Sequence, residues 1–140
     1  TGTKCPTIND DTNIDGIIDI QEGNVSWGNI LIPLDDDINS QLSGYKTFPV
    51  SDAYGSYFYE REGWYNNMMN DLRAKDPDPS DNIVKLPRNQ KLNLEGKVVV
   101  VFGISEQFAH LPETVASQGE YPAWKTLPVA CGVFKKVYTE

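Results

Sequence analysis

The segment Lys91-Leu92-Asn93-Leu94-Glu95-Gly96-Lys97-Val98-Val99-Val100-Val101-Phe102 decides the fold class. Its β-branched run disfavours a helix and suits a pleated strand. Leu92, Leu94, Gly96, Val98, Val100 and Phe102 share one parity, and Val99 and Val101 occupy the other. The Val98–Val101 stretch is therefore expected to be covered on both faces. A second run, Pro128 to Tyr138, alternates in the same way, with Ala130, Gly132, Phe134 and Lys136 opposing Val129, Cys131, Val133 and Val137.

Two shorter segments join this pattern. Residues 29–34, Asn-Ile-Leu-Ile-Pro-Leu, read as a strand ended or edged by Pro33, which has no N–H to give a ladder. Tyr54, Ser56 and Phe58 alternate with Gly55, Tyr57 and Tyr59, which predicts another strand up to Glu60. Then the period changes. Trp64, Met68 and Leu72 stand at i, i+4 and i+8, with Tyr65 and Met69 alongside, and predict a helix over about 62–75 whose apolar stripe packs on the core. Asp76-Pro77-Asp78-Pro79 stops it. Residues 76–90 and 103–126 read as long connections, and Asp35-Asp36-Asp37 as a cap for a short helical turn through Gln41. Neither a repeat nor a linker splits the chain. Its 140 residues suit one mostly β domain with its own core, in which residues 1–28 form an N-terminal segment.

That segment holds the sharpest chemical signal. Asp11-Thr12-Asn13-Ile14-Asp15-Gly16-Ile17-Ile18-Asp19-Ile20-Gln21-Glu22 matches the twelve-residue calcium loop at each diagnostic position. Asp11, Asn13 and Asp15 occupy positions 1, 3 and 5. Gly16 permits the sharp reversal at position 6, and Ile17 offers its carbonyl at position 7. Asp19 at position 9 ligates directly or through water, and Glu22 at position 12 closes the shell with two oxygens. Calcium takes hard oxygen ligands, about seven of them, and alternate side chains converge on one ion only if the backbone curls around it. Four carboxylates repel one another without the ion, so calcium is expected to couple to local folding. An EF-hand sensor also needs flanking helices. Here Cys5-Pro6 precedes the loop and Gly23-Asn24-Val25-Ser26-Trp27-Gly28, a poor helix, follows it. A static clamp is expected, not a switch. Asp76, Asp78 and Asp81 form a weaker candidate ion site, without the glycine or the closing Glu.

Acids outnumber bases by 20 to 12, for a net charge of −8. That balance argues against a nucleic-acid partner, which would require a basic face. No apolar run is long enough for a membrane span. A single histidine, His110, rules out multi-histidine metal centres. The only cysteines are Cys5 and Cys131. A bridge between them would close a loop of more than 120 residues and contribute up to about 4–5 kcal/mol by loop entropy, less any strain. Two unrelated thiols are the alternative. The absence of an initial methionine is what a processed product would show, and an acidic calcium loop beside Cys5 points to an extracellular or periplasmic setting. Asn24-Val25-Ser26 fits the glycosylation triplet, a pattern common by chance.

Catalytic signatures are sparse. There is no Gly-x-Ser-x-Gly elbow, no phosphate-cradling glycine loop and no His-Glu-x-x-His. His110, three residues before Glu113, offers a base–orienter pair but reads more readily as a surface residue. Glu60 and Glu62 offer paired carboxylates of unknown separation. The aromatics Trp27, Tyr54, Tyr57, Tyr59, Trp64, Tyr65, Tyr121 and Trp124 read chiefly as packing, and some of them as a sugar or peptide platform.

Gly96-Lys97-Val98-Val99-Val100-Val101-Phe102 and Leu127-Pro128-Val129-Ala130-Cys131-Gly132-Val133-Phe134 resemble two strands of the copper/zinc superoxide dismutases and the related chordin-type (CHRD) domains. The resemblance covers about residues 92–138. It implies a mainly β fold, a Greek-key β-sandwich or barrel, here with one inserted helix (about 62–75) and the N-terminal calcium-binding loop. It also supports pairing for Cys131, because the closing-strand cysteine of the dismutases is disulfide-bonded. Phe102 stands where those enzymes carry a copper-ligand histidine, and one histidine cannot build a copper–zinc centre, so their activity is not implied. A carbohydrate-binding jelly roll is the alternative fold. The expected function is that of a secreted, calcium-binding, non-catalytic domain with a structural or interaction role toward a protein or glycan partner. A calcium-dependent carbohydrate-binding module and a small hydrolase using acidic residues are the alternatives.

Overall fold

In a computed structural model, which describes residues 3–35, 48–73, 86, 89–108 and 110–138, the valine run is a strand. It forms β1, Val98–Phe102, which pairs antiparallel with β2, Pro128–Val133. Val98 lies opposite Val133, Val100 opposite Cys131 and Val101 opposite Ala130. Phe102 then faces Pro128, so the register shifts and Val129 is the extra residue of a bulge. Pro128 opens its strand, a place where a missing N–H is tolerated. At the far end the pairing runs on for one more step. The Phe134 N–H donates to the Lys97 carbonyl and the Gly96 N–H to the Phe134 carbonyl, both at 2.9 Å. There Gly96, at φ +77°, turns the chain out of the ladder.

The expected mainly β sandwich or barrel is not formed. Among the described residues β1 and β2 are the only strands, accompanied by three helices, and the faces of β1 are half-buried rather than covered. Each missing strand has a local cause. In residues 29–34 only Ile30 makes an isolated bridge, and Pro33 interrupts the donors. In residues 54–60 the Asp52 carboxylate takes the N–H groups of Tyr54 and Ser56, both at 2.9 Å. The Asp52 N–H closes on the Ser56 carbonyl, and Gly55 sits at φ +81°. Residues 52–56 are thus a side-chain-directed turn in which the N–H groups of Tyr54, Gly55 and Ser56 are spent locally. Beyond Phe134 the chain leaves the sheet, with Val137 and Tyr138 exposed.

The helices are α1, Ile20–Trp27, α2, Tyr65–Leu72, and the single turn α3, Ala123–Thr126. Short 3-10 turns occupy Ile8–Asp10 and Glu106–Phe108. The helix expected over 62–75 is α2. It buries Met69 and Leu72, while Trp64 lies just before it and is exposed. Of the turn expected from Asp35 through Gln41 only Asp35 is among the described residues, and the Asp76, Asp78, Asp81 cluster lies outside them.

Backbone proximity divides the chain into two compact units, Thr1–Gly28 with Asn93–Glu140, and Asn29–Leu92. The first contains the acidic loop, α1, α3 and the sheet. Among its described residues the buried apolar side chains are Trp27 and Val115, and the Trp27 ring meets Phe102 edge-on, 5.9 Å between centroids. α3 caps the end of β1, because the N–H groups of Gly103 and Ile104 donate to the carbonyls of Leu127 and Trp124, both at 2.8 Å. In the second unit the Leu86 N–H donates to the Leu72 carbonyl at 2.7 Å, and the Tyr59 hydroxyl to the Asp35 carbonyl at 2.7 Å.

Candidate metal centre

The loop expected to hold calcium is tied down at its end by a helix. Asp19 is the N-cap of α1 and accepts from the N–H groups of Gln21 (2.9 Å) and Glu22 (3.0 Å). Glu22 reciprocates, accepting the Asp19 N–H at 3.2 Å. This is a capping box, and it corrects the expectation of a poor helix after the loop. The Asp19-x-x-Glu22 spacing was the signal for it. Gly23 stays in the helix because the Trp27 ring folds over its bare Cα, where a Cβ would collide with the indole. Gly28, at φ +73°, ends α1.

Upstream, alternate side chains turn in on their own backbone. Asp11 accepts from the N–H groups of Asp15 (3.2 Å) and Gly16 (2.8 Å). Asn13 Oδ1 accepts from Asp15 at 3.0 Å, and Asp15 from Ile17 at 2.9 Å. The curl requires positive φ at Gly16 (+85°) and at Ile14 (+59°). Glycine meets that demand freely, whereas a β-branched residue is strained there. Glu22 Oε1 reaches back across the curl to the Thr12 N–H (2.8 Å), the Thr12 hydroxyl (2.9 Å) and the Asn13 N–H (3.3 Å). Asp19 and Glu22 are buried. No Lys or Arg occurs in the sequence between Lys4 and Lys46.

Two anchors not read from the sequence complete the site. Before the loop, the Thr7 N–H donates to Asp10 at 2.7 Å and the buried Ser26 hydroxyl donates to the same carboxylate at 3.3 Å. Across the loop lies Thr114-Val115-Ala116. The Thr114 hydroxyl donates to Asp15 at 2.6 Å, the Asn13 amide to the Thr114 carbonyl at 3.2 Å, and the Ala116 N–H to Asp19 at 2.8 Å. No local spacing could have pointed to residues about a hundred positions away. Cys5 and Cys131 form a disulfide, Cα–Cα 5.7 Å, which ties the entry of the loop to β2.

These contacts set the acidity of the loop. The Thr114 hydroxyl holds the Asp15 carboxyl below its ordinary value, against partial burial and with help from the Ile17 N–H and the Asn13 side chain. Burial pushes Glu22 up, but the donors on Asp19, Thr12 and Asn13 together bring it below its ordinary value. The Thr7 N–H does the same for Asp10, against burial and with help from Ser26 and Lys4. All six expected ligands, Asp11, Asn13, Asp15, Ile17, Asp19 and Glu22, thus lie on one wound segment. Their carboxylates face N–H and O–H donors. Among the described residues no group of three or more His, Cys, Asp or Glu is arranged to hold a metal ion.

Other candidates are dispersed. His110, Glu113, Glu60 and Glu62 are exposed. No helix among the described residues is long and apolar enough to cross a membrane. Compared with known proteins, the chain matches no family model, no curated protein and no solved structure.

Proposed function

We propose that residues 11–22 bind a calcium ion, and that the ion clamps the N-terminal segment of a non-catalytic domain working outside the cytoplasm. The observation that carries this reading is the winding of the loop. Asp11, Asn13 and Asp15 all turn inward through positive φ at Ile14 and Gly16, and Glu22 returns from the helix to the start of the curl. The donor set fits calcium in kind, since it is all oxygen and carries four carboxylates. Asp11, Asn13, Asp15, Asp19 and Glu22 would hold the ion with their side chains, and Ile17 with its carbonyl. The ion would supply positive charge to a stretch that has none. The carboxylates are now satisfied by N–H donors, so binding must turn some of their oxygens from those donors to the ion and is coupled to rearrangement of the loop.

A sensor is disfavoured. A 3-10 turn, not a helix, enters the loop, and the disulfide at Cys5 restrains it. The bridge between Cys5 and Cys131 also supports an oxidising compartment. The test is calorimetry on chelator-treated protein, with melting followed in parallel. One calcium site is expected, with a melting temperature that rises with free calcium by mass action. No heat of binding together with an unmoved melting point refutes the reading.

A glycan-binding role draws on one further observation. Trp64 and Tyr54 are 77% and 93% exposed, more than packing aromatics would be. A glycan array run with and without chelator separates the two readings.

A further inference from the structure

We propose that Thr114-Val115-Ala116 is the outer clamp of the calcium loop, positions three of its ligand side chains and sets its affinity; this rests on the reading of residues 11–22 as a calcium site. An acidic curl standing alone repels itself and must order every ligand at the moment of binding. EF-type loops lean on a second loop, and this chain has no second copy of the pattern. The tripeptide takes that place. Thr114 uses its hydroxyl on Asp15 and its carbonyl on Asn13, and Ala116 uses its N–H on Asp19. These contacts span 97 to 101 residues of sequence. They fall on loop positions 3, 5 and 9, spread along the curl. Between the two contributing residues Val115 is buried, 7% exposed. Thr114 stands in a turn closed by the Val115 N–H on the Pro112 carbonyl at 3.2 Å, which presents the Thr114 hydroxyl and the Ala116 N–H to the loop while Val115 is turned away from solvent. The clamp is thereby shaped in part by a hydrogen bond that does not involve the loop.

Thr114 is a positioning residue, not a ligand, and its hydroxyl can be removed without opening the core because the residue is exposed. In the full disulfide-bonded chain, Thr114→Val should bind calcium about three- to tenfold more weakly, the effect of one lost charge-assisted hydrogen bond near the surface. Thr114→Ser, which keeps the hydroxyl, should restore wild-type affinity. The melting temperature of chelated Thr114→Val should fall by no more than about 5 °C, the cost of one exposed hydrogen bond, so that the variant is still folded when calcium is titrated. As a second measurement on the wild-type chain, saturating calcium should slow hydrogen exchange of the Ala116 amide. Wild-type affinity in Thr114→Val, or an Ala116 amide indifferent to calcium, overturns the clamp while the calcium site stands. A wild-type chain that takes no calcium removes both.

Discussion

Ile14 and Gly16 show what the winding of a loop demands of single residues. Gly16 is permissive and reversal at that position was expected. Ile14 is a β-branched residue at φ +59°, 88% exposed, so neither propensity nor burial put it there. Such an outlier persists only where its surroundings over-determine it, and here the surroundings are the turns of Asp11, Asn13 and Asp15. Three carboxylates in and beside the loop make it acid-sensitive. Asp10, Asp15 and Glu22 are all held below their ordinary values when folded. Groups depressed in this way stabilise the fold above their unfolded values, and that stabilisation is lost as pH falls through the folded ones. The melting temperature of chelated protein should therefore be level from about pH 7 to pH 5 and fall below about pH 4. Glu22→Gln should lower the plateau and flatten the fall, because an amide presents donors to the N–H of Asp19 or Thr12. A melting temperature that rises on acidification through this range contradicts the assignment.

Among the elements, α1 is where local signals competed. Gly23 and Val25 weaken a helix, and weighing them alone leads to a loop. The structure resolves the conflict through the ends and the packing. Asp19 and Glu22 cap the first turn, and the Trp27 ring lies over Gly23. Glycine is required there for space rather than for backbone freedom. Gly23→Ala, which in an ordinary helix would stabilise by about 1 kcal/mol, should instead destabilise by about 2 kcal/mol or more through overpacking. Denaturant unfolding followed by tryptophan fluorescence measures this, and a neutral or stabilising result would mean that Trp27 does not rest on Gly23. β1 and β2 were legible because four consecutive valines leave little alternative. Residues 54–60 were not, because alternation in sequence carries no information about the Asp52 carboxylate that captures the N–H groups of Tyr54 and Ser56.

At the scale of the whole molecule, the reading from sequence overreached in one direction. Two paired strands were extended to a sandwich, but a sandwich needs further strands to cover both faces, and residues 29–34 and 54–60 form none. The long-range tie that was anticipated, Cys5 to Cys131, is formed across a separation of 126 residues. The contact of the loop with Thr114 and Ala116 was invisible, since it depends on how distant backbone is placed. The disulfide and the loop belong to one argument. Cys5 precedes the Thr7–Asp10 turn that leads into Asp11, and Cys131 lies opposite Val100 in the sheet. The bridge therefore restrains the entry of the loop against β2. Replacing both cysteines by serine should destabilise chelated protein by about 2–5 kcal/mol. Because linkage is reciprocal, the same variant should also bind calcium more weakly, and calcium should slow reduction of the wild-type bridge by dithiothreitol. Melting of the double variant, calorimetry on it, and the reduction rate with and without calcium provide three independent readouts. If the variant is as stable as wild type, the bridge does not hold the segment; if only the reduction rate ignores calcium, the bridge holds the segment but the ion does not act on it.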